Sequence, residues 1–260
     1  MKGALSKMHT IFITGTAGSG KSTLAGAFSD WLRSQEQSTL LVNLDPAALT
    51  LPYEPDVDVR EMVDYERVMT TRKLGPNAAL IATLREVARH IEELAEEVNS
   101  HDVDFTIIDT PGQLELFAYR KEGRIFTKYI GNGRKIMLFL LDPMFCAVTR
   151  NFIASMFLAS SIYLTFQLPM IQILNKIDAV PKKYIDRIER WSESLDSLII
   201  DIENKSKKVL IHLSREIAQA VYDIASSIPV VPVSSITMEG FTELHAMLTR
   251  LVGEGEVELR

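Results

Sequence analysis

The residues able to do chemistry fall in short polar motifs, each standing at the carboxyl end of an apolar run. "GTAGSGKST", Gly15 to Thr23, follows "TIFIT" and opens into a helical pattern. Its spacing, G-x-x-x-x-G-K-[ST] between strand and helix, builds a phosphate-binding loop. Gly15, Gly18 and Gly20 let the backbone curl through Ser19 so that N–H groups point inward, and the helix entered at Ser22 and Thr23 aims its positive end at the same phosphates. Lys21 is expected to neutralise β and γ oxygens, and Ser22 to ligate Mg²⁺.

"DTPGQ", Asp109 to Gln113, ends the run "FTIIDT". An acid there can hold Mg²⁺ through water, and the Gly112 N–H can meet a γ-phosphate. Gln113 reads either as a group orienting the attacking water or as a surface glutamine. "NKID", Asn175 to Asp178, follows "MIQIL". Guanine presents two N–H donors on one edge, which the two oxygens of Asp178 can accept, whereas adenine offers no such pair. Lys176 can lay its stem over the ring, and Ser234 in "VPVSS" is placed for the guanine carbonyl. Asp45 in "NLDPA" carries two readings. It either forms an Asx-type turn before Pro46 or brings a carboxylate to the phosphates, where it accepts from water or holds Mg²⁺ indirectly.

The elements that must position these groups are legible as patterns. Apolar runs at residues 10–14, 39–45, 105–110, 135–142, 170–176 and 230–235 are unbroken rather than alternating, as in parallel strands covered on both faces. Helical periodicity separates them. Leu80, Leu84, Val87, Ile91, Leu94 and Val98 make one stripe opposite a charged face. The alternation predicts an α/β fold with a doubly wound, mainly parallel sheet flanked by helices, its ligand beyond the carboxyl ends of the strands. Between about 181 and 228 it lapses into two amphipathic patterns, one through Ile185, Ile188, Trp191, Leu195 and Leu198, the other through Leu210, Leu213, Ile217, Val221 and Ile224. The expectation is a single domain over 1–260 with a helical insertion, in which Lys205, Lys207 and Lys208 form a solvated turn.

The net charge of −6 implies no general attraction for nucleic acid or anionic lipid. Cys146 is the single cysteine, so no intramolecular disulfide can form, and with no export leader read the cytoplasm is the expected compartment. The five histidines show no metal-ligand spacing. The uncharged segment from Phe152 to Leu168 carries Ser155, Ser160, Ser161, Thr165 and Gln167 between two strand-like runs, and reads as a buried helix or subunit interface rather than a membrane span.

With these residues in hand, the chain resembles the GPN-loop GTPases, P-loop NTPases with a Gly-Pro-Asn insertion. "GTAGSGKST", "NLDPA", "LPYEPDVDVREMV", "LGPNAALI", "DTPGQLELF", "NKID" and "VPVSS" occur in that family's order over nearly the whole length. On its own, Gly75-Pro76-Asn77 reads as a plain turn before a helix starting near Ala78. The resemblance implies instead a two-fold homodimer in which this tripeptide reaches the nucleotide pocket of the other subunit. There Pro76 would fix one backbone angle, Gly75 would permit an unusual one, and N–H groups with the Asn77 amide would face phosphate. It also implies that Asp45 and Gln113 handle the attacking water, with Glu115 as a helper, while Arg60, Arg120 and Arg124 leave no single arginine finger.

The expected function is hydrolysis of GTP to GDP and phosphate by a Mg²⁺-dependent homodimeric switch, with a protein client in macromolecular assembly. Larger family members carry a tail after the core, and contacts made by such a tail are not expected here. One rival is a phosphotransferase acting on a small acceptor, and another a slow nucleotide-gated scaffold. Phosphate release without acceptor separates the first, and single-turnover hydrolysis the second.

Overall fold

The computed structural model describes residues 8–203 and 211–254. Seven strands form one sheet: β1 (His9–Gly15), β2 (Thr39–Asn43), β3 (Val57–Asp58), β4 (Phe105–Asp109), β5 (Arg134–Leu141), β6 (Met170–Leu174) and β7 (Val230–Pro232). Their order is β3-β2-β4-β1-β5-β6-β7, and every pairing is parallel. The order in which strands are added reverses beside β1, which makes a crevice at the carboxyl edge where the chain leaves β1 for its helix. Ile13 lies opposite Asp109 and Leu138, and Asn43 lies opposite Asp109, so the phosphate loop and both acidic loops leave from one rim.

The unbroken apolar runs follow from burial on both faces. Ile11 and Ile13 belong to a core that also holds Leu24, Phe28 and Phe241, whereas Phe12 belongs to the opposite core with Ile108 and Phe139. Successive side chains in a strand point to opposite faces, so a strand covered twice needs apolar residues at every position. The first core is roofed by α1 (Lys21–Ser34) and, late in the chain, by the helix Phe241–Glu254.

Between β2 and β4 lie α2 (Val59–Met62), α3 (Tyr65–Thr71), α4 (Pro76–Arg89) and α5 (Ile91–Asn99). The stripe expected as one helix is two. His90, at φ −99° and ψ 27°, breaks it, yet Leu80, Leu84, Val87, Leu94 and Val98 are all buried on the expected side. The sequence does not announce strand β3 and helices α2 and α3, because two residues of strand and helices of one or two turns carry too little periodicity to register.

After β4 come α6 (Leu114–Ala118) and α7 (Lys121–Tyr129), and after β5 come α8 (Pro143–Cys146) and α9 (Thr149–Phe166). One face of α9 is buried through Phe152, Met156, Ala159 and Ile162, while Phe157 and Leu164 stand exposed at 43% and 69%. Among the described residues no helix is long and apolar enough to cross a membrane. Cys146 is buried, and burial pushes its thiol up to about 11, which makes it unreactive near neutrality.

The insertion contains α10 (Lys182–Glu193), α11 (Leu195–Glu203) and α12 (Ile211–Ser227). The first amphipathic pattern therefore spans two helices, broken at Ser194, whose extended φ of −135° ends α10. Lys205, Lys207, Lys208 and Leu210 lie outside the described residues, as does the side chain of Leu213. Trp191 is 1% exposed, lies 5.4 Å from the Phe152 ring, and donates its indole N–H to Asp201 Oδ2 at 2.8 Å. Ile188, Leu198 and Val221 share the same core as Phe12 and Phe139, so the insertion is continuous with the body of the fold. The remaining helix, Phe241–Glu254, is α13.

Candidate nucleotide site

The phosphate loop connects β1 to α1, and Gly20 caps α1 at φ +93°, a left-handed angle that disfavours any residue with a Cβ. Space forbids one as well, since a Cβ on Gly20 would lie 2.5 Å from Asn175 Nδ2. Ser19 and Lys21 are buried, Ser22 is half-buried and Thr23 is exposed. Lys21 Nζ donates to Gly15 O and Thr16 O, both at 3.1 Å, and to Gly112 O at 3.3 Å. Its ammonium thus ties the phosphate loop to the DTPGQ loop. Burial lowers the Lys21 pKa, while the charges of Asp109 and Asp45 pull it back.

Asp109 ends β4 at 1% exposure. Burial raises its pKa to about 6, opposed by the Ser22 hydroxyl, the Tyr53 hydroxyl and Lys21, and reinforced by the charge of Asp45. Oδ2 accepts the Tyr53 hydroxyl at 3.0 Å, whereas Oδ1 is buried with no hydrogen-bond partner among the described residues. Burial and the Asp109 charge push the Tyr53 hydroxyl far above the ordinary tyrosine range, so it stays a donor. An orphaned carboxylate oxygen beside a serine hydroxyl is a hard oxygen donor set of the kind Mg²⁺ takes when phosphate and water complete its shell, so these residues fit that ion.

Asp45 makes the Asx-type turn and also reaches the DTPGQ loop. Oδ1 accepts the Ala47 N–H at 3.0 Å, an Asx-type turn, and Oδ2 accepts the Gly112 N–H at 2.8 Å. The Gly112 N–H, expected to face phosphate, is therefore taken by Asp45. Asn43 steers this arrangement: its Oδ1 accepts the Asp45 N–H at 2.9 Å and its Nδ2 donates to Asp58 Oδ1 at 2.9 Å. Arg60 is not free to act as a finger, because it clamps Asp58 through Nε and Nη2 and donates to Ala48 O. Despite its partial burial, Asp58 is held below the usual carboxylate range by these bonds.

Gly75-Pro76-Asn77 forms the start of α4 rather than a turn before it. Gly75 is the N-cap, Pro76 the first helical residue, and all three are exposed. Helix N-termini present unpaired N–H groups and a positive dipole end, which suits phosphate. The expected unusual angle at Gly75 is absent. Its φ is −71° and ψ 163°, open to any residue, and a Cβ there would meet nothing within 4 Å. Asn77 Oδ1 accepts from Gln113 Nε2 of its own chain at 3.1 Å, so the tripeptide sits beside the DTPGQ loop. Glu115 is exposed in the first turn of α6.

At the other end of the crevice, Asn175 ties the phosphate loop to the NKID loop. Its Nδ2 donates to Ser19 O at 3.0 Å, and its Oδ1 accepts from Ser235 Oγ at 2.7 Å. Lys176 Nζ donates to Gly18 O and, at 3.0 Å, to Asp142 Oδ2, which stretches its stem between the two loops. Asp178 is exposed, and its Oδ1 accepts from Ser234 Oγ at 2.5 Å. Ser234 is buried, and its hydroxyl also accepts the N–H groups of Ile236 and Thr237. It orients Asp178 instead of standing open to a base carbonyl. Asn43, Tyr53, Asp58, Asp142 and Ser235 went unassigned from sequence. Tyr53 and Asp58 lie within "LPYEPDVDVREMV", Asn43 opens "NLDPA" and Ser235 closes "VPVSS", whereas Asp142 lies in none of the family motifs.

Residues 13–254 match the model of a family described as conserved hypothetical ATP binding protein. GPN-loop GTPase 1 of Dictyostelium discoideum is 30% identical over 236 residues, covering 90% of this chain. The chain belongs to the GPN-loop GTPase family. Another of its members, GPN-loop GTPase 3 of Eremothecium gossypii, is 29% identical over 218 residues, covering 82% of this chain and 80% of that protein. The chain spans 59% and 66% of the length of the GPN-loop GTPase 1 proteins of D. discoideum and Saccharomyces cerevisiae. A GTPase of Pyrococcus abyssi, solved in its apo form, superposes with a TM-score of 0.82 at 27% identity, covering 95% of this chain and 98% of that one. This GPN-loop fold accordingly carries its seven parallel strands and flanking helices as a P-loop NTPase.

Proposed function

We propose that the protein, one domain with a helical insertion at about 181–228, hydrolyses GTP to GDP and phosphate as a homodimeric switch in the cytoplasm. The observation that supports this most is the contact between Asp45 and Gly112. It brings a carboxylate from one strand end to a backbone donor suited to terminal phosphate, beside Lys21. In this reading GTP takes the Gly112 N–H and the Lys21 ammonium, and Asp45, released from Gly112, accepts a hydrogen bond from the attacking water. Gln113 orients that water from the other side, and Lys21 with the N–H groups of the phosphate loop stabilises charge on the departing γ-phosphate. Ser22, Asp109 and Asp45 would hold Mg²⁺, which would supply positive charge to offset that of the phosphates.

Guanine is preferred to adenine, although the family description mentions ATP. The carboxylate of Asp178 is held by Ser234, and carboxylate oxygens accept but never donate. Guanine offers that edge two donors, whereas adenine cannot.

The Gly-Pro-Asn corner is proposed to complete the partner's site. Its exposure, and the lack of any need for glycine at position 75 within its own chain, support a role at a surface that another molecule approaches. A second reading has one specific support: the bond from Gln113 to Asn77 within one chain favours action in the same subunit. GTP hydrolysis itself is tested by incubating the protein with GTP and Mg²⁺ and no acceptor. Stoichiometric phosphate release that excess ATP fails to suppress is expected; retained GTP, or phosphate appearing only with an added acceptor, would overturn it.

A further inference from the structure

Tyr53 lies in "LPYEPDVDVREMV" without a role assigned from sequence, and its placement is over-determined. It sits between Pro52 and Pro55, each of which fixes a backbone angle. The segment is then pinned to β2, where Asp56 Oδ2 accepts the Leu41 N–H at 2.7 Å and the Asp56 N–H donates to Leu41 O at 2.8 Å. The ring rests on α1 at a notch made by Gly26, since a Cβ there would fall 2.9 Å from Tyr53 Cβ. From this fixed seat the hydroxyl reaches Asp109 Oδ2 at 3.0 Å.

A half-buried tyrosine that needed only to satisfy its hydroxyl could use water. This one instead meets a carboxylate that is 1% exposed and whose other oxygen has no hydrogen-bond partner among the described residues. The choice of donor also has a chemical consequence. A neutral hydroxyl orients a carboxylate while leaving its negative charge uncancelled, which a lysine or arginine at the same place would not do.

We infer that Tyr53 is a positioning residue for the metal-binding carboxylate: its hydroxyl occupies Asp109 Oδ2 from a fixed direction, locks the carboxylate's rotation, and reserves Oδ1 for a metal-bound water. The inference rests on the proposed Mg²⁺ site. It assigns "LPYEP" a task in metal affinity and separates that task from packing of the ring.

The test is Mn²⁺ affinity of the GDP-loaded protein, read by electron paramagnetic resonance, for Tyr53→Phe, Gly26→Ala and Ser22→Ala. Tyr53→Phe keeps the ring and removes only the hydroxyl. Gly26→Ala keeps the hydroxyl and displaces it. Each should weaken Mn²⁺ binding by about 10-fold or more, as loss of partners that orient metal ligands does elsewhere, while GDP affinity in chelator stays within a few-fold of native. Unchanged Mn²⁺ affinity in both overturns the role of Tyr53, and equal losses of GDP affinity with and without metal would reduce it to packing. Ser22→Ala separates the layers: if it too leaves Mn²⁺ binding unaltered, the metal site itself is misassigned, whereas a loss there alone sinks only the inference about Tyr53.

Discussion

Asp45 Oδ2 accepts the backbone N–H of Gly112 at 2.8 Å, joining the end of β2 to the loop after β4 across the phosphate site. Together with the bond from Lys21 to Gly112 O, it holds both polar groups of one peptide neighbourhood with side chains that the proposed reaction requires elsewhere. Both polar groups of Gly112 are thus satisfied within the chain, and in the proposed reaction a triphosphate would replace these two bonds.

Removing the Asp45 carboxylate should therefore separate binding from chemistry. Asp45→Ala is expected to lower single-turnover hydrolysis of GTP by roughly 100-fold or more, the usual scale for losing a group that handles the reacting proton. GDP affinity should stay within a few-fold of native. A large loss of GDP affinity with an unchanged hydrolytic step would place Asp45 in ground-state binding.

Asn77→Ala should slow hydrolysis more than it weakens binding of a non-hydrolysable GTP analogue, because the proposed contribution of its amide and the α4 N-terminus appears as charge develops on phosphate. A loss on the order of 100- to 1,000-fold in kcat fits removal of one such donor. Calorimetric titration beside rapid-quench kinetics reads the two quantities, and the reverse pattern would contradict the role.

Base selection can be inverted by one atom. Asp178→Asn replaces one acceptor oxygen with an N–H₂ donor, which suits xanthine, where a carbonyl stands in place of the guanine 2-amino group. Competition titrations should show preference moving from GTP to XTP by at least roughly 10-fold, on the scale of one or more mispaired hydrogen bonds. Unaltered GTP preference would remove Asp178 from the base site.

Gly20→Ala meets two obstacles, a left-handed φ of +93° and a Cβ position 2.5 Å from Asn175 Nδ2. The backbone alone accounts for about 1–2 kcal/mol, and the displaced Asn175 would release Ser19 O and Ser235. Thermal unfolding should fall and GDP binding should be lost together; native stability with intact binding would show that the two loops are not coupled through this contact.

Burial raises the Asp109 pKa to about 6, above its value in the unfolded chain. A carboxyl with a raised folded pKa binds more protons in the folded state, so its contribution falls as pH rises between roughly 4 and 6 and stays low above that. In nucleotide- and metal-free protein, the stability of Asp109→Asn relative to native should shift toward the variant by about 2 kcal/mol between pH 4 and 7. Urea unfolding at the two pH values measures it, and a constant difference would mean that Asp109 carries no such penalty.

Most of the fold was legible because its strands are buried twice and its motifs occupy strand ends, where sequence order alone places them on one rim. The phosphate loop, Asp109, Asn175 and Asp178 follow from that logic. What escaped were relations between loops distant in sequence. Nothing in "NLDPA" announces that Asp45 takes the Gly112 N–H in addition to making its turn, since that bond depends on β2 and β4 being neighbours. Tyr53 was hidden for the same reason, and Ser234 was read as open to the base because the Asp178 contact joins β6 and β7 loops. The break at His90 escaped because the apolar stripe stays in phase across it.

The central claim is that each Gly-Pro-Asn corner serves the other subunit, and mixing two inactive chains tests it most directly. One carries Asn77→Ala with an intact phosphate loop, and the other Lys21→Ala with an intact corner. If the corner acts across a two-fold interface, a mixed dimer holds one complete site, and an equal mixture allowed to exchange should recover roughly a quarter of native GTP turnover. No recovery from chains shown to have exchanged, or full turnover by a lone subunit, would contradict the account and leave the bond from Gln113 to Asn77 as the working arrangement.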